Sequence, residues 1–162
     1  MERPGHFAGQ CRYSAERDRA RAGPVGGGEI TSSRHRQHRR VTAEIAGEAL
    51  GLPVAIDRDL REVAFGVQEG QAMSGWFADW VAGRFTPDGA ETFPTLRRRA
   101  VAAINRATAQ PPAVLVVAHG ALFRALRAAM GIEPNVRTQN AVPIFCEPLS
   151  AGGNGWSLNP MI

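Results

Sequence analysis

The stretch Val114 to Val117, four apolar residues in a row, most constrains what this chain can fold into, because Pro111 and Pro112 precede it and His119-Gly120 follow it. A run without polar alternation predicts a strand covered on both faces, as in a parallel sheet with helices on each side. Leu122, Phe123, Leu126, Ala129 and Met130 then mark one face of a helix that should stop near Gly131. In open parallel sheets, ligands collect at the carboxyl ends of strands, where the free amides of the next helix favour anions. His119 and Gly120 stand at such a junction.

The rest of the chain beyond residue 40 can be read by the same rules. Thr42 to Leu50 predicts a helix with Ile45, Ala46, Ala49 and Leu50 on its inner face and Gly51 as its stop. LPVAID at 52–57 reads as a short strand. Ser74 to Phe85 predicts a helix that buries Trp76, Phe77, Trp80 and Val81, and these aromatics read as core before they read as the wall of a cleft. Glu91 to Ala109 predicts a longer helix, with Leu96, Ala100, Ala103, Ile104 and Ala107 inward and Arg97, Arg98, Arg99 and Arg106 mostly outward. Strands alternating with helices imply an α/β layered sheet.

Charge divides the chain at the same place. Every basic residue among the 19 is arginine, which marks compositional bias rather than guanidinium chemistry. Residues 1–40 hold nine arginines against four acidic residues, whereas 41–162 hold ten against eleven. The sequence pI of about 10.3 is therefore owed to the first quarter, which excludes a uniformly basic nucleic-acid binder. The run RHRQHRR at 34–40 leaves open a basic arm that binds nucleic acid or acidic partners through phosphate contacts, but no recognition fold accompanies it. Cys11 and Cys146 match no disulfide framework or zinc spacing, and His35 and His38 lack acidic or thiol company, so no metal is expected. No apolar run approaches the ~20 residues of a membrane span, and the N-terminus has no leader-like stretch, so a cytoplasmic protein is expected.

A second cluster, LREVAFGVQEG at 60–70, offers Arg61, Glu62 and Glu69 around a Phe-Gly turn. A loop carboxylate near an anion site can hold a proton and pass it to a leaving oxygen. Taken with PDGAETF at 87–93, the helix of Arg97 to Arg99, VLVVAHGALFRAL at 114–126 and Asn140, this cluster resembles the histidine phosphatase superfamily in order and spacing. The likeness covers about residues 41–145 and is to the small bacterial broad-specificity phosphatases of the phosphoglycerate-mutase-like group. It implies a three-layer α/β sandwich with a mostly parallel sheet, no cofactor, and small phosphorylated substrates. It also implies a phosphohistidine mechanism, in which a histidine of an RHG motif takes the phosphoryl group, a glutamate protonates the departing oxygen, and a second histidine and two arginines hold the phosphate. By the same resemblance Glu62 matches the proton donor and His119 the second histidine, with Gly120 beside it at the phosphate. Arg39 is the nearest residue to the second arginine, ahead of Thr42-Ala43.

The RHG motif itself is absent. RPGH at 3–6 is the nearest approach, and no apolar strand precedes it to set His6 at a strand end. The expectation is therefore an atypical arginine-rich segment over 1–40, disordered or translated out of frame, joined to a phosphatase-like domain over 41–162. Activity should be weak or lost. In the family the missing motif ends a central strand beside the one matching VLVV, so a sheet incomplete at the N-terminus, with an unplanned edge, is expected. Nothing in the chain separates a monomer from a dimer.

Overall fold

The computed structural model describes residues 11–14, 40–73, 75–109, 114–149 and 155–161. A four-stranded sheet runs in the order β2-β1-β3-β4, with β1 at Cys11–Ser14, β2 at Val114–Val117, β3 at Ile144–Pro148 and β4 at Trp156–Pro160. The β1 and β2 strands are parallel, with Cys11 opposite Val114 and Ser14 opposite Val117. The pairs β1 with β3 and β3 with β4 are antiparallel. Among the described residues the sheet is thus small and mixed, with one parallel and two antiparallel pairs, and the expected mostly parallel sheet is not seen. The expected gap beside VLVV is also filled, since Cys11–Ser14, in a stretch whose sequence shows no strand pattern, lies between β2 and β3 and satisfies backbone groups on both sides.

Helices follow where periodicity places them, but they do not all bury the residues it marks. The first, α1, is helical over 40–50 and closes at Gly51, whose φ of 64° is the left-handed turn that a residue without Cβ adopts cheaply. Its expected inner face is open: Ile45 is 62% and Leu50 56% exposed. The residue that packs is Gly47, where an added Cβ would stand 2.6 Å from Val54 Cγ2, so the chain folds back on the helix through its narrowest point. Residues 52–57 form no strand either, and Ile56 is 72% exposed.

The next helix, α2 (Gly75–Val81), buries Phe77, Trp80 and Val81 and leaves Trp76 half-buried. Trp80 packs edge-on against Phe93 and Phe65, at centroid distances of 5.1 and 5.3 Å, and its Nε1 donates to the Glu91 carbonyl at 2.9 Å. These aromatics are core. Helix α3 (Phe93–Ala107) begins at Thr92, whose side-chain oxygen accepts from the Thr95 amide at 3.3 Å, with proline in the first turn where no donor is needed. It buries Leu96, Ala100, Ala103 and Ile104. Helix α4 (Gly120–Ala129) buries Leu122, Phe123 and Leu126 and stops before Gly131.

Along β2 the pleat sends alternate side chains to opposite faces. Val116, with Val114 beside it, joins Ala100, Ile104, Leu122, Phe123, Leu126, Ile144 and Cys146 in one core. Val117 instead lines an open cleft, so β2 is not buried on both faces as its unbroken apolar run predicts. Each large apolar side chain buried in this core contributes about 1.5–3 kcal/mol. Their stacking of α3 and α4 on the sheet holds the end of β2 in place.

Candidate active site

His119 leaves the carboxyl end of β2 through Ala118 and caps α4, with backbone angles of −87° and 162° that turn the chain from strand to helix. Its carbonyl accepts the Phe123 amide at 3.2 Å, which fixes the residue at the helix entrance. Gly120 is exposed, and a Cβ added there would meet nothing within 4 Å, so space stands open above the first turn. Helix amides and their dipole face the same space.

Glu62 arrives from a different part of the chain. Asp57 caps a 3-10 turn, Arg58–Leu60, by accepting the Asp59 amide at 2.8 Å, and the backbone then extends through Arg61 to Val63. The Val63 side chain is only 2% exposed and anchors this segment in the aromatic core. Glu62 Oε1 accepts the Val63 amide at 3.0 Å, and Oε2 lies 3.1 Å from His119 Nδ1. The two side chains are 17% (His119) and 26% (Glu62) exposed, so the pair is sheltered yet reachable by a solute. Glu69 is elsewhere: its Oε2 accepts the Phe65 amide at 2.9 Å and closes its own loop.

A cleft of about 610 Å³ is lined by Arg40, Ile56, Arg58, Leu60, Arg61 and Val117 among others, a lining that includes neighbours of Glu62 and His119 in sequence but neither residue itself. Arg61 directly precedes Glu62, and Val117 stands two residues before His119. Asp57, also in the cleft's lining, is held by Arg106, whose Nη2 donates to Oδ2 at 2.8 Å. Burial works against the Asp57 carboxylate, but the Asp59 amide and the Arg106 guanidinium outweigh it and hold the group below its ordinary range. In the core behind, burial pushes the Cys146 thiol up to about 11, and Arg127 offsets only part of that.

One arginine is not where its charge would put it. Arg99, expected to point outward with Arg97 and Arg98, has a side chain only 9% exposed and pairs with Glu91 at 2.6 Å. The signal is present in the spacing, since Leu96, Arg99, Ala100 and Ala103 are one continuous helical face. A charged residue on an apolar face requires a buried partner. Glu91, eight residues earlier, supplies it.

A family model for the histidine phosphatase superfamily (branch 1) matches residues 12–143. The chain belongs to that superfamily. Its match begins inside β1, which in this fold runs beside the strand of VLVV. Solved structures of similar fold include Bacillus stearothermophilus YhfR, at 17% identity and a TM-score of 0.63, covering 93% of this chain and 95% of that one. A protein described as mycobacterial hydrolase 2 aligns at 20% identity and a TM-score of 0.62, over 93% of this chain and 88% of its own. The native mycobacterial glucosyl-3-phosphoglycerate phosphatase aligns at 20% identity and a TM-score of 0.60, over 94% and 96%. No curated protein matches the sequence.

Within this histidine phosphatase fold, the structure brings Glu62 and His119 together. Arg39, His6, His35 and His38 lie outside the described residues. Asn140 sits half-buried in the loop between α4 and β3, next to Ala141, whose φ of 58° is unusual for a residue with a Cβ. The sequence that continues from β1 past Ser14 is Ala15-Glu16-Arg17, with no histidine. Among the described residues no helix is long and apolar enough to cross a membrane.

Proposed function

We propose that this chain binds small phosphomonoesters at the carboxyl end of β2 and hydrolyses them weakly. The observation that carries the reading is the 3.1 Å contact between Glu62 Oε2 and His119 Nδ1 at a strand end facing a helix N-terminus. A protonated Glu62 gives its proton to the departing oxygen, and the imidazole beside it stabilises the carboxylate left behind. His119, the Gly120 end of α4 and Arg39 hold the phosphoryl oxygens, where charge spread over several oxygens is best met by fixed donors.

The phosphohistidine route of the family needs a histidine at the end of the strand beside β2, and the residues following Ser14 provide none. Turnover then proceeds by direct attack of water on phosphorus: the P–O bond to the alcohol breaks as Glu62 protonates the departing oxygen, and the proton released by the attacking water passes through the phosphate oxygens and solvent back to the Glu62 carboxylate, leaving alcohol and inorganic phosphate. The rate is low because the covalent intermediate is missing. Hydrolysis of p-nitrophenyl phosphate by the full chain tests this, with expected losses of at least tenfold in Glu62→Gln and His119→Ala. Rapid turnover with a trapped phosphohistidine would overturn the weak-activity part. Turnover indifferent to both substitutions would overturn the site.

A further inference from the structure

We infer that Arg99 and Glu91 form a buried brace whose role is to aim Glu62 at His119. The Arg99 guanidinium has five N–H donors, and the structure gives each a partner. Nε and Nη2 grip the two Glu91 carboxylate oxygens, both at 2.6 Å. Nη1 donates to the carbonyls of Asp59 at 2.6 Å and Arg61 at 2.8 Å, and Nη2 donates to the carbonyl of Glu62 itself at 3.3 Å. Glu91 completes the brace from the other side, because its amide donates to the Ala64 carbonyl at 2.8 Å. The backbone on both sides of Glu62 is thereby tied to one ion pair, with side chains only 9% (Arg99) and 10% (Glu91) exposed.

A pair present only for stability would not need this arrangement. Buried ion pairs add little net stability over apolar packing of the same volume. What the fork adds is direction, since a planar guanidinium with all donors engaged fixes three carbonyls relative to one carboxylate. Those carbonyls belong to the Arg58–Leu60 turn and to the extended loop that follows it, which has no ladder of its own and carries the carboxylate that must meet an imidazole from another element. Arg99 and Glu91 are positioning residues, and they act through Glu62.

The inference rests on the reading of Glu62 as proton donor, but its test does not require turnover. In the full chain with labelled histidine, the imidazole N–H signal of His119 is followed by NMR, identified by its loss in His119→Ala and reporting the Glu62 contact by its shift in Glu62→Gln. Arg99→Lys keeps the charge and loses the fork. It should move the His119 signal towards the Glu62→Gln position and broaden it, and Glu91→Gln should do the same. Leu96→Ala, a core truncation on the same helix, should lower the melting temperature at least as much and leave the signal in place. A folded Arg99→Lys with a wild-type signal overturns the brace, as does a wild-type signal unmoved by Glu62→Gln. Should Arg99→Lys fail to fold, Glu91→Gln decides by the same criterion. Absent hydrolysis with the signals behaving as expected would remove the phosphatase reading and leave the brace standing.

Discussion

The α2–α3 region and the α1 region carry similar apolar patterns and meet opposite ends. Around α2 and α3, Trp80 and Leu96 are fully buried, and even a charged residue, Arg99, is drawn inside and satisfied. Along α1 and 52–57, Ile45, Leu50 and Ile56 stand exposed, and a glycine makes the contact instead. An amphipathic pattern states which face gains from cover. It does not state that cover is found, because burial needs a partner surface of matching shape.

The largest expected contrast is between truncations in the two regions. Trp80→Ala should cost about 3–5 kcal/mol, by leaving a cavity among Phe65, Phe77 and Phe93 and an unpartnered Glu91 carbonyl. Ile45→Ala or Ile56→Ala should stay within about 0.5 kcal/mol. Urea melts of the three variants check this, and a cost at Ile45 or Ile56 near that of Trp80 would show the α1 face to be covered in solution.

Gly66→Ala should come next, at about 1–3 kcal/mol. Gly66 has φ of 57°, and an added Cβ would collide with the Asp88 carbonyl where the Phe65–Ala90 bridge draws two loops together. Gly70→Ala provides the comparison, since Gly70 shares the left-handed backbone but faces open space. It should cost less, about 1 kcal/mol. Equal costs in thermal melts would mean that the loops beside Glu62 are not in close contact.

The smallest effect is expected at Asp57. Its carboxylate is held below the ordinary value of 3.8, so it contributes stability fully present above that value and lost as pH falls through the depressed one. Asp57→Asn keeps the cap on the Arg58–Leu60 turn and removes the charge. Its melting temperature should lie slightly below wild type at pH 7, with the gap closing under strong acid. A gap that persists at pH 2 would assign the effect to packing.

Part of the candidate site is legible in the residues, and the roles proposed for it come from the family resemblance. Glu62 reads as a carboxylate on a loop and His119 as a residue at the step from strand to helix, because both positions follow from local chain rules. Their meeting is not legible, since residues 57 apart in sequence share no local signal. Arg99 reads as outward because an arginine in a run of three looks solvated, although its place on the Leu96 face argues otherwise. The strand at Cys11–Ser14 escapes a reading of periodicity for a related reason. A four-residue strand between Gln10 and Ala15, with an arginine inside it, has no period of its own, and its hydrogen bonds to β2 and β3 are what define it.

The order of residues, then, suffices to place α2, α3, α4 and the β2 strand and to name the side chains able to carry acid or anion chemistry. Periodicity and end signals are local, and they survive whatever the rest of the chain does. The meeting of Glu62 with His119, the inward turn of Arg99 to Glu91 and the open apolar face of α1 arise only from how the elements pack. A hydrogen bond or an ion pair exists only when both ends are in place, and burial only when a matching surface arrives.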